Sequence, residues 1–332
     1  MTQYTKREIV LKVLRDRTML PRHTPPVFAP ANIALCKYWG KRDTELNLPV
    51  TGSLSVSLGS LGTHTEIASA CDSDTVVLNG AEVDEDSPFR DRVIRFLNLF
   101  RPRPLDCYMV TTQNTVPTAA GLASSASGFA ALVRALDRFY RWDLQPHELS
   151  ILSRLGSGSA CRSVFNGFVE WQSGCDADGM DSFAVSLSGD WPYLRIGVLM
   201  IDTAEKGLSS GAAMRQTVET SALYRHWPER VANDLAEIKA AIEEKDFERL
   251  GRAAETNALA MHATMLLSRP PVLYWQASTV EALHRVWRLR SDGLPVYMTM
   301  DAGPNVILLF LEDSTADLQK VFADMTVVQP FP

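Results

Sequence analysis

The spacing of hydrophobic residues predicts helices that alternate with short strands, beginning with a helix at the N-terminus. Residues 1–20 mix lysines and arginines with apolar residues at helical spacing, which predicts a short amphipathic helix. The Pro-rich segment "PRHTPPVFAP" at 21–30 ends it, because proline cannot continue a helix. The apolar residues at helical spacing are Ile9, Val10, Val13 and Leu14.

From Val27 onward the pattern favours strands. "GTHTEIASA" and "DTVVLNGAEVD" alternate apolar and polar residues, and Asn79-Gly80 between two such runs predicts a hairpin turn. "SPFRDRVIRFLNLF" then predicts a helix, and "DCYMVTTQNTVP" predicts another strand. The apolar face of that helix is predicted to contain Phe89, Val93, Phe96, Leu97 and Phe100.

A loop of small residues, "PTAAGLASSASGFAAL" at 117–132, leads from this strand into a helix. The first turn of a helix has unpaired backbone N–H groups, which bind an anion when small side chains leave the approach open. The loop is therefore a candidate phosphate cradle, although a flexible turn would use the same residues. It is not a Walker A loop, because the pattern G-x-x-x-x-G-K-[ST] is absent. No lysine occurs between Lys41 and Lys206, so a lysine that contacts the phosphates must come from another part of the chain. The helix has apolar residues at three- and four-residue steps, namely Ala126, Phe129, Ala130, Val133, Leu136 and Tyr140.

Two further segments combine cations with small or aromatic residues. Lys37, Lys41 and Arg42 stand close together in residues 31–58, which is typical either of an edge strand with snorkelling cations or of an anion site. In "GSGSACRSVFNGFVEW" at 156–171, Arg162 is a single cation among small and apolar residues. Such a charge is paired, binds a ligand or lies at the surface, because burial without a partner is costly.

A carboxylate follows a strand near the C-terminus. In "VYMTMDAGPNVILLFLE" at 296–312, two apolar strands flank "DAGPN", and Asp301 lies where the first strand ends. The sequence Asp-Ala-Gly-Pro also favours a simple turn, in which the Asp side chain caps the turn that it begins. A carboxylate held still beside cations is also what a general base requires.

Composition narrows the class of protein. The chain has 332 residues, 46% hydrophobic and 22% charged, and no apolar run reaches the ~18 residues of a membrane span. Its formal net charge of -6 argues against nucleic-acid binding and leaves room for a local basic pocket. The 5 cysteines are far apart and lack a C-x-x-C pair, which predicts reduced thiols in a cytoplasmic protein with neither a disulfide frame nor a cysteine metal site.

Four segments, in order, resemble the mevalonate diphosphate decarboxylases of the GHMP kinase superfamily. They are "ANIALCKYWGKRDTELNLP", "PTAAGLASSASGFAAL", "GSGSACRS" and "MDAGPN", and the similarity extends from about Pro25 to the C-terminus. "EKGLSSGAAM" and "NALAMHATML" are weaker similarities, and Thr51-Gly52 departs from the amide or serine residues expected there. The N-terminal segment lies outside the resemblance.

The resemblance implies an α+β GHMP-kinase fold with its active site between two domains. Residues 1–24 are then an N-terminal amphipathic extension, and 25–190 are an ATP- and substrate-binding domain of the ribosomal-S5-like α/β type. Residues 191–332 are a ferredoxin-like α+β domain, for which "RIGVLMID" reads as a new first strand. A homodimer is the family expectation.

The implied reaction is ATP-dependent decarboxylation of mevalonate 5-diphosphate to isopentenyl diphosphate, CO2, ADP and phosphate. The resemblance implies that Asp301 comes from the second domain to meet Arg162 of the first and takes the 3-hydroxyl proton. Arg162 would hold the substrate carboxylate, and Lys37 would neutralise the transferring phosphoryl group. The substrate-binding residues would be Asn32, Tyr38, Lys41, Ser157, Ser159 and Arg162. ATP with Mg2+ would be bound by Gly121, Leu122, Ala123, Ser124, Ser125, Ala126, Ser209 and Ser210, with Ser124 as the candidate metal ligand.

Three other functions have to be weighed. A relative on the same fold could phosphorylate the 3-hydroxyl without decarboxylation, or prefer mevalonate 5-phosphate. The presence of both Asp301 and Arg162 favours decarboxylation, and Lys41 beside Lys37 favours a diphosphate. The third alternative is a regulatory binding protein without catalysis. No nucleic-acid or membrane partner is expected.

Overall fold

The computed structural model describes residues 4–115, 124–202 and 207–331, with Ser124 by its backbone alone. It has a mixed α+β fold built on two main sheets. The helices are α1 (Lys6–Leu14), α2 (Pro88–Leu97), α3 (Ser124–Tyr140), α4 (Pro146–Gly156), α5 (Ser210–Thr220), α6 (Trp227–Glu244), α7 (Phe247–Leu266), α8 (Ala277–Ser291) and α9 (Thr315–Val321). The strands are β1 (Val27–Cys36), β2 (Lys41–Asp43), β3 (Leu48–Pro49), β4 (Ser53–Ala70), β5 (Thr75–Leu78), β6 (Ala81–Glu82), β7 (Cys107–Asn114), β8 (Phe168–Trp171), β9 (Ala184–Ser186), β10 (Leu194–Leu199), β11 (Val296–Thr299), β12 (Val306–Leu311) and β13 (Thr326–Val328).

The first sheet is organised around the long strand β4. Its order is β6-β5-β7-β4-β8-β9, and β1 also pairs with β4. The beginning of β4 pairs with β8, and its end pairs with β7, so one strand joins both parts of the sheet. The predicted hairpin turn joins β5 to β6, with φ of 51° at Asn79 and 85° at Gly80, the left-handed values that this turn type requires.

The second sheet is antiparallel, in the order β11-β12-β10-β13. The new strand predicted at "RIGVLMID" is β10, and the two strands predicted around "DAGPN" are β11 and β12. Helices α6, α7 and α8 follow β10 in the chain before β11.

The predicted N-terminal helix is α1, and it belongs to the core of the first half. Thr5 and Glu8 form a capping box at its start. The four residues named for its apolar face are at most 2% exposed and pack in a cluster with α2, α3 and α4, whereas Leu11 is exposed. Beyond the helix, Arg17 Nη2 donates to both carboxylate oxygens of Glu148, at 3.0 and 2.7 Å.

The helix after the small-residue loop buries the predicted face, and α2 departs from its prediction at one residue. All six apolar residues named for α3 are buried. In α2, Val93, Phe96 and Leu97 are buried, and so is Phe100 just beyond it. Phe89 is 38% exposed, because it lies in the first turn and lines a cavity instead of the core.

One buried cluster joins the two halves of the molecule. It includes Ile33 of β1, Leu54 of β4, Ile196 of β10 and Met261 of α7. The end of β1 therefore lies beside elements that the chain reaches more than 200 residues later.

Among the helices of the described ranges, none combines the length and the apolar character that a membrane span requires.

Candidate active site

The end of β1 and the turn after β11 bring Lys37 and Asp301 into contact. Lys37 Nζ lies 2.8 Å from Asp301 Oδ1, and it also donates to the carbonyl of Ala34 at 2.7 Å. The Lys37 side chain is 2% exposed, whereas that of Asp301 is 31% exposed. The carboxylate is thus held by a buried ammonium on one side and open to solvent on the other.

The charge on Lys37 depends on opposing effects. Burial lowers its pKa, the neighbouring charge and hydrogen bond of Asp301 raise it, and the net pKa is lowered. The positive charge of Arg162 also lowers it, so the arginine belongs to the same electrostatic cluster. Asp301 forms its ion pair with Lys37, and its negative charge also raises the pKa of Arg162, against the lowering by burial. Among the described contacts no hydrogen bond joins Asp301 to Arg162 directly.

Arg162 is a buried cation held by neutral groups. It is 3% exposed and ends a short 3-10 helix, Gly158–Arg162. Its Nη1 donates to Ser53 Oγ at 2.6 Å, and its Nε and Nη2 approach Asn32 Oδ1 at 3.4 and 3.3 Å. Within the described ranges it forms no ion pair with a carboxylate. Burial raises the pKa of the adjacent Cys161 thiol to about 12, so this neighbour stays neutral.

The predicted residue Asn32 orients Arg162. Its Nδ2 donates to Ser163 Oγ at 2.8 Å and approaches the carbonyl of Ser159 at 3.4 Å. These partners require Oδ1 to face the guanidinium, which determines the orientation of the amide. A buried arginine with its charge uncompensated is the arrangement that binds an anionic group.

The predicted residue Tyr38 lies in the same region, and its hydroxyl is buried without a hydrogen-bond partner in the described ranges. Its ring packs against Trp171, with centroids 4.8 Å apart. A Cβ on Gly158 would come within 2.7 Å of the Tyr38 ring, so this position requires glycine. An orphaned buried hydroxyl beside a buried cation is a ready contact for a polar ligand.

Lys41 lies in a basic environment. Its Nζ donates to Asn47 Oδ1 at 2.7 Å, and within the described ranges it has no ion pair. Burial lowers its pKa, and the positive charges of Lys6 and Arg215 lower it further. Cations that repel one another favour the binding of a multiply charged anion.

Three predicted serines form a chain of hydroxyls that reaches a cavity. Ser157 Oγ lies 3.4 Å from Ser125 Oγ and 3.5 Å from Ser159 Oγ. Ser125 lines a cavity of about 300 Å³ between α2, α3 and strands of the first sheet. Phe129 and Arg92 also line it, with the Arg92 guanidinium 5.4 Å from the centre of the Phe129 ring. Ala126 is fully buried in the first turn of α3.

The other residues predicted to bind the nucleotide are not joined to this cluster by described contacts. Gly121, Leu122, Ala123 and the side chain of Ser124 lie outside the described residues. Ser209 is the N-cap of α5 and accepts from the N–H of Ala212, and Ser210 begins that helix. Ser209 therefore caps α5, and nucleotide binding by Ser209 and Ser210 stays a prediction.

Sequence reasoning missed several polar residues that support the site. Ser53 holds Arg162, Asn257 Oδ1 accepts the main-chain N–H of Lys37 at 2.8 Å, and His262 Nε2 bonds the carbonyl of Asp301 at 3.1 Å. Asn257 and His262 both lie in "NALAMHATML", a segment that the sequence marked only as a weak family similarity. Lys6 was missed because its segment lies outside the resemblance.

The cysteines are free thiols. Cys175, Asp176 and Asp181 offer ligand atoms within 4.8 Å of one another at an exposed loop. The Asp181 carboxylate accepts the main-chain N–H groups of Cys175 and Asp176, so hydrogen bonds within the loop explain the grouping.

Comparison with known proteins finds relatives of both halves of the chain. Residues 29–184 match the diphosphomevalonate decarboxylase-like N-terminal domain, and residues 196–330 match the mevalonate 5-diphosphate decarboxylase C-terminal domain. Diphosphomevalonate decarboxylase of Saccharomyces cerevisiae is 39% identical over 317 residues, covering 89% of this chain and 80% of the relative. The Homo sapiens protein of that name is 40% identical over 311 residues, covering 87% and 77%.

Solved structures show the same architecture. A structure described as MDDEF in complex with MVAPP, AMPPCP and magnesium has a TM-score of 0.86 and 39% identity, and the match covers 93% of this chain and 97% of that one. The two domain matches together span most of the chain, with the Lys37–Asp301 contact formed between them. The chain therefore belongs to the mevalonate diphosphate decarboxylase family.

Proposed function

We propose that this protein catalyses the ATP-dependent decarboxylation of mevalonate 5-diphosphate to isopentenyl diphosphate, CO2, ADP and phosphate. One observation carries the proposal beyond family membership. A solvent-open carboxylate, Asp301, is paired with buried Lys37 beside Arg162, a buried cation that has no carboxylate partner in the described ranges. This arrangement offers a base and an anion-binding group in one site.

Asp301 accepts the proton of the substrate's tertiary 3-hydroxyl as that oxygen attacks the γ-phosphorus of ATP. The bond between the γ-phosphorus and the bridging oxygen breaks, and ADP leaves. The hydrogen bond from Lys37 Nζ to Oδ1 holds the carboxylate in place while it accepts the proton. The exposed side of Asp301 supports access by the hydroxyl.

Phosphorylation changes the poor leaving group hydroxide into phosphate. The bond between C3 and the phosphate oxygen then breaks, and the electron pair of the bond to the carboxylate carbon forms the new C=C bond as CO2 departs. Arg162 holds the substrate carboxylate, because a planar guanidinium fixes its orientation through two parallel hydrogen bonds. Asn32 and Ser53 hold the guanidinium without neutralising it.

Lys37 neutralises negative charge near the transferring phosphoryl group, since phosphoryl transfer depends largely on positioning and electrostatics. Tyr38, Ser157 and Ser159 contact the substrate. Lys41 binds the substrate diphosphate, and its like-charged neighbour Lys6 adds to the positive potential there.

The nucleoside part of ATP occupies the cavity lined by Arg92, Ser125 and Phe129, whose size suits a nucleoside and which adjoins the start of α3. Residues 121–126 then hold the phosphates at that helix N-terminus. The hydroxyls in this region are oxygen donors of the kind that Mg2+ accepts, and Ser124 is the candidate ligand. Bound Mg2+ reduces the negative charge of the nucleotide phosphates.

We also propose the domain limits inferred from the sequence, 25–190 and 191–332, with residues 1–24 as an N-terminal extension whose helix α1 packs into the core of the first domain. We further propose a cytoplasmic homodimer. Size-exclusion chromatography with light scattering tests the oligomeric state, and a monomer at micromolar concentration would contradict it.

The function is tested by incubating purified protein with ATP and either mevalonate 5-diphosphate or mevalonate 5-phosphate, scoring CO2 and ADP together. We expect CO2 and ADP in equal amounts, with the diphosphate strongly preferred. ADP without CO2 would identify a 3-kinase, and preference for the monophosphate would identify the other decarboxylase. Formation of neither product would indicate a binding protein.

A further inference from the structure

The main chain that carries Asp301 is held by a side chain from a helix. Asp301 lies beyond the end of β11, so ladder hydrogen bonds do not hold it. Its carbonyl accepts from the N–H of Gly303 at 2.8 Å and from His262 Nε2 at 3.1 Å. The bond to a carbonyl requires a proton on Nε2, which makes this nitrogen the donor. His262 is 2% exposed, and its ring lies 5.2 Å from that of Trp275.

The main chain that carries Lys37 is held in the same way. Lys37 follows β1 directly, and its N–H donates to Asn257 Oδ1 at 2.8 Å. Asn257 is fully buried, and its Nδ2 donates to Asp234 Oδ2 on α6 at 2.8 Å. Asp234 in turn accepts from Arg230 Nε at 2.8 Å. These partners leave the Asn257 amide only one orientation that satisfies every group.

Both supporting side chains belong to α7. Asn257 and His262 are five positions apart, about 7.5 Å along the helix axis. Helix α7 packs against both β1 and β11, the strands that precede Lys37 and Asp301. One buried helix is thus bonded to the main chain of each partner in an ion pair formed between the two halves of the molecule.

We propose that Asn257 and His262 are positioning residues that set the separation and orientation of Lys37 and Asp301 by holding their main chains to α7. They act through the backbone and do not touch the substrate. The inference rests on the proposed function, because the pair must be in place for proton and phosphoryl transfer. Errors of about 1 Å in such a geometry cost up to roughly 100-fold in rate.

His262→Met removes the donor at similar volume, whereas the amide nitrogen of His262→Gln reaches the position of Nε2. Thr264→Val is the matched control, since Thr264 is a buried α7 residue whose hydroxyl bonds only the carbonyl of Met261 among the described contacts. We expect His262→Met to lower kcat by about 10- to 100-fold. KM for either substrate should change by less than about threefold, because the binding groups remain. His262→Gln should recover most of kcat, and Thr264→Val should leave it unchanged.

Asn257→Leu tests the other half of the proposal. It should lower kcat to a similar extent, and the double variant with His262→Met should lose less than the product of the two losses, because both changes misplace one pair. All variants are measured for CO2 release and thermal melting beside the wild type. A kcat of His262→Met within twofold of wild type, absence of rescue by glutamine, or equal losses in Thr264→Val would overturn the inference. A wild type that releases no CO2 would instead overturn the proposed function and the inference with it.

Discussion

Replacement of Arg162 by Gln should abolish most turnover without weakening the fold. Arg162 is 3% exposed, and among the described residues its guanidinium has only Ser53 and Asn32 as side-chain hydrogen-bond partners, so its charge is available for the substrate carboxylate. A hydrogen bond to a charged group contributes about 1.5–3 kcal/mol, and a forked contact that is lost in the transition state costs on the order of 2–4 kcal/mol. This corresponds to roughly 30- to 1000-fold in rate.

The stability of the variant distinguishes function from structure. A buried cation without a counter-charge costs free energy to desolvate, so Arg162→Gln should melt at or near the wild-type temperature. Arg154→Gln is the matched control, because Arg154 is fully buried and its guanidinium donates to the carbonyls of Leu46 and Gly179. That variant should lose stability while its folded molecules keep their turnover.

The assay is ATP-dependent CO2 release with KM measured for both substrates, together with calorimetric ATP binding and thermal melting. Arg162→Lys should also be slow, because an ammonium keeps the charge and loses the fork. ATP affinity should stay within about threefold of wild type, since the cavity lined by Ser125 is untouched. Near wild-type turnover in Arg162→Gln, or a loss of ATP binding as large as the loss of turnover, would refute the reasoning.

Asp301→Asn should lower CO2 release by at least ~100-fold, because an amide does not accept the hydroxyl proton. It should also lower the melting temperature, because Lys37 then remains buried without its counter-charge. Turnover above about a tenth of wild type in a normally melting variant would remove Asp301 from the mechanism. Burial lowers the pKa of Lys37 below 10.5. Since the charged ammonium is the active form, kcat/KM should fall as the pH rises through this lowered pKa. Lys37→Arg should not show this fall at alkaline pH, because arginine stays charged. The same alkaline limb in both proteins would contradict this role. Leu14→Ala should lower the free energy of unfolding in urea by about 2–5 kcal/mol, since Leu14 is 1% exposed in α1. A loss below about 1 kcal/mol would show that the helix is not part of the core.

Local pattern was enough to predict most helices and strands near the site. The periodicity of α3, the Asn79-Gly80 turn and the strands around Asp301 depend on spacing and turn chemistry within a few residues. Phe89 shows the limit, because its spacing fits the buried face of α2 and yet it borders a cavity. Whether a position at the edge of an apolar stripe is buried depends on what lies opposite, which periodicity does not contain.

The sequence by itself predicted the chemical groups, since Arg162 and Asp301 are each a charge among small or apolar residues and Lys37 belongs to a short cluster of cations. It could not determine which charges meet. The pairing of Asp301 with Lys37, 264 positions away, arises because the end of β1 packs beside β11 and α7. Among the described residues Arg162 has no carboxylate partner, and Asn32 and Ser53 hold its guanidinium instead. Charge type and local spacing are properties of the chain, whereas counter-ions, burial and hydrogen-bond support follow only from which distant segments the core brings together.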